Sequence, residues 1–103
     1  MTQQTKMLES ETYLRWVDGL RDRRAAMRVQ VRVDRLAAGN PGDVRPVGAG
    51  ISEMRIDYGP GYRVYFQKRG DTLVVLLCGG DKSTQPKDIE NAKRIAKEWK
   101  HDG

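Results

Sequence analysis

Apolar and polar positions along the chain follow two periods, and the changes between them mark out the elements. Residues Thr5 to Glu9 fit a short first strand. Ser10 then stands as the N-cap of a helix on which Tyr13, Trp16, Val17 and Leu20 recur at i, i+3, i+4 and i+7, the stripe of a helix with one face in a core. For Trp16, packing within that stripe outweighs a ligand role. Gly19 to Arg24 breaks this helix, Asp22 supplies the next N-cap, and a second helix runs to Leu36 or Ala38 before Gly39-Asn40-Pro41-Gly42 stops it. Two periods compete there. Val29, Val31 and Val33 alternate with Gln30 and Arg32 as in a strand, whereas Ala26, Val29, Val33 and Leu36 form a helical stripe. The length of the segment and the Gly39 cap decide for the helix.

The second half alternates with period two. Val44 to Val47 fits a short edge strand, because Pro46 cannot donate to a ladder and is tolerated only at an edge. From Ile51 to Tyr58, Met54, Ile56 and Tyr58 fall on one face and Glu53, Arg55 and Asp57 on the other. Gly59-Pro60-Gly61 closes a hairpin. In the return strand Tyr62, Val64 and Phe66 take the apolar face and Arg63, Tyr65 and Gln67 the opposite one. Leu73 to Cys78 is apolar at every position, as in a central strand covered on both sides for part of its length. Gly79-Gly80-Asp81-Lys82 reads as a flexible polar loop. A last helix begins near Gln85, with Pro86 in its first turn and Ile89, Ala92, Ala96 and Trp99 as its stripe. Lys100 to Gly103 is expected to fray.

This order predicts an α+β domain: a helical hairpin packed on one side of a twisted antiparallel sheet of four to five strands, with a C-terminal helix. One domain spans residues 1–103, since a core of ordinary size needs about 100–150 residues. Nineteen Lys and Arg against fourteen Asp and Glu give a net charge of +5, so a polyanion or an acidic protein is the natural partner. The single cysteine, Cys78, excludes an internal disulfide and reads as a small core hydrophobe. With no secretory leader pattern and no apolar run near the ~20 residues that span a bilayer, the expectation is a soluble cytoplasmic protein without membrane partners.

The candidate chemistry is geometric. Arg55 and Arg63 lie on neighbouring strands of one hairpin and point to one surface. Like charges placed together on a sheet repel by an amount comparable to the ~0.2–1 kcal/mol of a favourable pair, so Glu53, Asp57 or a bound phosphate is needed to compensate them. Lys82 adds a cation at the end of the central strand, and Tyr65 a ring or phenol between them. A solvated face of ordinary ion pairs fits this spacing as well.

The string from Glu53-Met54-Arg55-Ile56-Asp57-Tyr58-Gly59-Pro60-Gly61-Tyr62-Arg63-Val64-Tyr65-Phe66 to Leu76-Leu77-Cys78-Gly79-Gly80-Asp81-Lys82 resembles the signature of HigB-like addiction-module killer proteins of the RelE/ParE toxin superfamily. Gly39-Asn40-Pro41-Gly42-Asp43, Val47-Gly48 and the stretch from Gln85 to Ile89 resemble that family too, and the likeness runs from about Tyr13 to Ile95. It implies a RelE-like toxin of a type II toxin–antitoxin pair that cuts messenger RNA on the ribosome, with no metal and no cofactor. The sheet surface opposite the helices would hold the RNA. Its chemistry is attack of a 2′-hydroxyl on the adjacent phosphate, which needs a base, cations for the developing charge and an acid for the leaving oxygen.

By the same resemblance Arg55 and Arg63 stabilise phosphate, Lys82 binds phosphate or protonates the leaving group, and Tyr65 stacks on a base or transfers a proton. Glu53 is either the general base or the carboxylate partner of Arg63. His101 lies in the tail, where an exposed terminal residue is the ordinary reading. Some superfamily members carry a catalytic Tyr near the C-terminus, and this chain has none after Phe66. The implied partners are the ribosome, messenger RNA and a cognate helix-turn-helix antitoxin, which covers part of the basic surface or the helical hairpin and takes the pair to promoter DNA. The ParE branch implies a rival, a non-enzymatic inhibitor of DNA gyrase. A plain nucleic-acid-binding module is a weaker rival, because no helix-turn-helix, zinc finger or RNP-like aromatic pair is visible.

Overall fold

The structure, a computed structural model, describes residues 5–99. His101 and the terminal residues expected to fray lie outside that range. The elements run β1 (Lys6–Glu9), α1 (Glu11–Asp18), α2 (Arg23–Ala37), β2 (Val44–Gly48), β3 (Ile51–Ile56), β4 (Tyr62–Arg69), β5 (Leu73–Asp81), a 3₁₀ turn (Lys82–Thr84) and α3 (Gln85–Glu98).

One five-stranded sheet is formed in the order β1-β5-β4-β3-β2. It is mixed, not antiparallel throughout: β2 to β5 pair as antiparallel neighbours, but β1 runs parallel to β5 with Met7 opposite Val74. Ser10 fixes that reversal. Its hydroxyl caps α1 by accepting from Tyr13 N at 2.9 Å and donates to the Leu77 carbonyl, and its own N–H bonds the Leu76 carbonyl at 2.9 Å. The chain therefore leaves β1 straight into a helix lying on the sheet. β2, with Pro46, is the opposite edge, as a strand lacking one donor requires.

The helices cover both faces of the sheet, which corrects the one-sided packing expected from the sequence. α1 and α2 lie on one face, where Tyr13, Val29, Val33 and Leu36 pack on Met54, Ile56, Val64, Phe66, Val74 and Leu76. α3 lies on the other, where Ala92, Ile95 and Ala96 pack on Ile51, Tyr65, Val75, Leu77 and Cys78. The cause is β5, whose six apolar residues must be shielded on both sides; each buried side chain of this size contributes about 1.5–3 kcal/mol. A bulge sharpens the effect. Tyr65 pairs with Cys78 and Phe66 with Leu76, so Leu77 has no partner in register and joins Cys78 under α3. The Cys78 thiol is pushed up to about 12 by that burial.

Gly79 and Gly80, expected in a loop, remain in β5. A Cβ on Gly79 would overlap the ring of Trp16, and one on Gly80 would overlap the carboxylate of Asp88. The glycine pair is the place where α1 and α3 both press on the strand from opposite sides. Lys82 to Thr84 then form a capped 3₁₀ turn instead of a flexible loop. Among the described residues, no helix is long and apolar enough to cross a membrane.

Candidate functional site

The register of β3 and β4 sets Arg55 opposite Arg63 and Glu53 opposite Tyr65. With a side-chain period of two, all four share the face that carries α3. Between the two guanidinium groups lies the Glu53 carboxylate, fully buried. Its Oε1 accepts from Arg55 Nε at 2.9 Å and lies 3.8 Å from Arg63 Nη1. Its Oε2 accepts from the Tyr65 hydroxyl at 3.1 Å and from Gln85 Nε2 at 2.6 Å. Burial alone would raise the Glu53 pKa. Hydrogen bonds from Arg55, Gln85 and Tyr65, with the charge of Arg63, outweigh it and hold the carboxyl below its ordinary value. Glu53 thus takes the role of arginine partner, and no oxygen of it is open to solvent as a base.

The two arginines differ. Arg55 has a side chain 28% exposed, and α2 holds its backbone: Arg32 donates to the Arg55 carbonyl at 2.6 Å and to the Pro41 carbonyl at 3.0 Å. Arg63 is 8% exposed, and its buried Nε has no hydrogen-bond partner among the described residues. A guanidinium carries five N–H donors and accepts nothing, so this one retains an unused donor beside a carboxylate already shared. A buried donor left unpaired costs about 1–3 kcal/mol.

Tyr65 is fully buried beneath α3, and burial together with the neighbouring Glu53 charge pushes its phenol far above its ordinary value. Its ring has no open face, so stacking on a base does not fit this packing. Strand alternation had placed it on the polar side; α3 makes that side a second core. Lys82, the first residue of the 3₁₀ turn, is exposed and lies beside Gly61 at the same end of the sheet as Arg55 and Arg63. It has no hydrogen bond or ion pair to the Glu53 cluster.

Two contributors from the first turn of α3 were not singled out by the sequence. Gln85 completes the shell of Glu53. Asp88 packs on Gly80, the residue registered opposite Arg63, and accepts a hydrogen bond from the Thr84 hydroxyl. Burial pushes the Asp88 carboxyl up, and the Asp81 charge adds to this while the Thr84 bond offsets part of it. The string Thr84-Gln85-Pro86-Lys87-Asp88 does announce a helix start with an acid in its first turn. It does not say which strand that turn will meet. Among the described residues no three His, Cys, Asp or Glu side chains gather as metal ligands would.

The fold and the site together define a class: a small basic α+β protein with a mixed sheet, whose paired arginines surround one buried carboxylate beneath the first turn of the last helix. Within that class the chain belongs to the family of an uncharacterized protein of Haemophilus influenzae. The two are 51% identical over 87 residues, which is 84% of this chain and 88% of that protein. No protein-family model matches the chain.

Proposed function

We propose that the protein is the toxin of a type II toxin–antitoxin pair in the RelE/ParE superfamily, HigB-like, acting in the cytoplasm as a ribosome-dependent messenger-RNA endoribonuclease. In this reading α1 and α2 are the helical hairpin of a RelE-like domain, and a helix-turn-helix antitoxin restrains the toxin and takes it to promoter DNA. The observation that carries the proposal is the Arg55–Arg63 pair, set side by side by the β3–β4 register and held together by Glu53. Such a pair suits the doubly charged transition state of phosphate transfer.

The roles follow from position. Arg55, which reaches solvent, and Arg63 bind the scissile phosphate. Glu53 fixes their spacing and is a positioning residue. Lys82, at the open end of β5, gives a proton to the departing 5′-oxygen. Asp88, in the first turn of α3 over Gly80, the residue registered opposite Arg63, accepts the proton of the attacking 2′-hydroxyl. The bond formed is 2′-O to phosphorus and the bond broken is phosphorus to 5′-O. This scheme needs neither a metal nor a cofactor.

Expression of the wild type with mapping of transcript ends tests it. Codon-phased cuts are expected, reduced about 10²–10³-fold in Arg55→Ala and Lys82→Ala, the loss typical of one transition-state donor. Uncut transcripts would refute the nuclease. The burial of Tyr65 and Glu53 withdraws two of the candidate proton-transfer groups from the surface, and this favours as second reading the gyrase inhibitor of the ParE branch. Gyrase-dependent DNA damage with intact transcripts would establish that one.

A further inference from the structure

The outer edge of β3 loses its partner before the strand ends. Val44, the first residue of β2, registers with Met54, so Arg55 has no strand residue opposite it on that side. Its backbone amide and carbonyl still need partners. The Arg55 N–H finds the Asp43 carbonyl at 2.9 Å. Among the described residues no return bond comes from the Asp43 N–H, and the Arg55 carbonyl accepts instead from Arg32 Nη1 at 2.6 Å. Both backbone groups of Arg55 therefore point away from β4. This makes Arg55 and Arg63 a pair without hydrogen bonds between their backbones, the class with Cα atoms only about 4.5 Å apart and side chains closest. Arg32 itself comes from α2, on the face of the sheet opposite α3, and its Nη2 donates to the Pro41 carbonyl at 3.0 Å. One guanidinium thus ties the Arg55 backbone to α2 and to the loop between α2 and β2.

We infer that Arg32 is a positioning residue acting through Arg55: it stands in for the missing strand donor, fixes the Arg55 main chain, and so sets where the Arg55 guanidinium meets phosphate. The inference rests on the phosphate-binding role proposed for Arg55. The type of residue matters. A guanidinium presents two nitrogens in a planar fork and reaches two carbonyls at once, whereas a lysine ammonium is a single point. The loop is shaped to admit that fork. Pro41 supplies its carbonyl, and Gly42, at φ +77°, leaves the space, since a Cβ there would lie 2.9 Å from Arg32 Nη2. Gly39 has a similar backbone, at φ +85°, but a Cβ on it would meet nothing within 4 Å. The string Gly39-Asn40-Pro41-Gly42 therefore does more than stop α2. Its first glycine serves the turn alone, and its second also makes room for Arg32.

The test compares codon-phased cutting of one messenger RNA, in a translation reaction with purified ribosomes, by the full-length wild type, Arg32→Ala, Arg55→Ala and the double variant, each shown by thermal melting to be folded. Arg32→Ala is expected to cut about tenfold or more slowly than the wild type, the scale on which a misplaced group loses rate, with Arg32→Lys between the two. In the Arg55→Ala background the same change is expected to alter cutting by less than about twofold, because nothing is left to position. A merely structural role would slow both backgrounds alike. Two glycine variants perturb the fork without removing it. Gly42→Ala crowds Arg32 and is expected to slow cutting as Arg32→Ala does; Gly39→Ala, with the same left-handed strain and no such contact, is expected to cut like the wild type. A wild type that cuts and an Arg32→Ala variant that cuts equally fast overturn the inference alone. So does a further loss of about tenfold in the double variant, or an equal loss in the two glycine variants. Transcripts left uncut by the wild type overturn the nuclease and this assignment with it.

Discussion

Glu53 is the residue on which the α3 face depends, because it supplies the only carboxylate that the described structure places between Arg55 and Arg63. Replacement by Gln preserves shape and removes charge, leaving two guanidinium groups facing each other in a buried setting. Breaking a buried ion pair from one side costs about 3–5 kcal/mol, and urea denaturation of Glu53→Gln should show a loss of that order. The pH dependence has a definite sign. Since the folded pKa lies below the unfolded value of about 4.3, the stabilisation is fully present above that value and is lost as pH falls through the folded one. The acid limb of the wild-type stability curve should therefore be steeper than that of Glu53→Gln; parallel limbs would show that Glu53 titrates alike in both states. Gly79 and Gly80 make a second residue-scale case. Gly79→Ala and Gly80→Ala should each cost about 1–3 kcal/mol by overpacking against Trp16 and Asp88. Asp88→Ala should relieve the second but not the first, and a double-mutant cycle would measure that coupling.

At the scale of elements, α2 offers a direct test of period. Val29, Val31 and Val33 alternate as in a strand, yet Val29 and Val33 are buried and Val31 is half exposed. Val29→Ala should cost about 1.5–2.5 kcal/mol in thermal or urea unfolding, Val33→Ala nearly as much, and Val31→Ala less than about 0.5 kcal/mol. Equal effects at all three would contradict the helix. Period was also what made the site legible: alternation along β3 and β4 put Arg55, Arg63 and Glu53 on one face, and the structure pairs them there. What alternation could not tell was the fate of that face. The burial of Tyr65 depends on α3 crossing the sheet, and Gln85 and Asp88 reach the cluster only through that crossing. The parallel pairing of β1 with β5 was hidden for the same reason. It joins residues over sixty positions apart, and a strand's own pattern carries no direction. The full apolarity of Leu73 to Cys78 was the one local sign that both faces would be covered.

Across the whole molecule, which carries a net charge of +5, two groups of cations stand out, the arginines of α2 and the Arg55, Arg63 and Lys82 end of the sheet. If the second surface holds single-stranded RNA as proposed, its affinity must depend on salt through the phosphates it neutralises. For single strands the logarithm of the binding constant falls with the logarithm of salt concentration by about 0.7 per phosphate, so three cations give a slope near −2. Lys82→Ala should then reduce the slope by about 0.7, and Arg55→Ala by a similar step. Arg24→Glu on α2 should change it less than Lys82→Ala does, because α2 lies on the face of the sheet opposite α3. Fluorescence anisotropy with an oligouridylate over a salt series measures all four slopes. A slope that responds to Arg24 and ignores Lys82 would place RNA on the helical face and separate the sheet cluster from nucleic acid altogether. The converse result would tie the buried carboxylate network, through the two arginines it aligns, to phosphate binding.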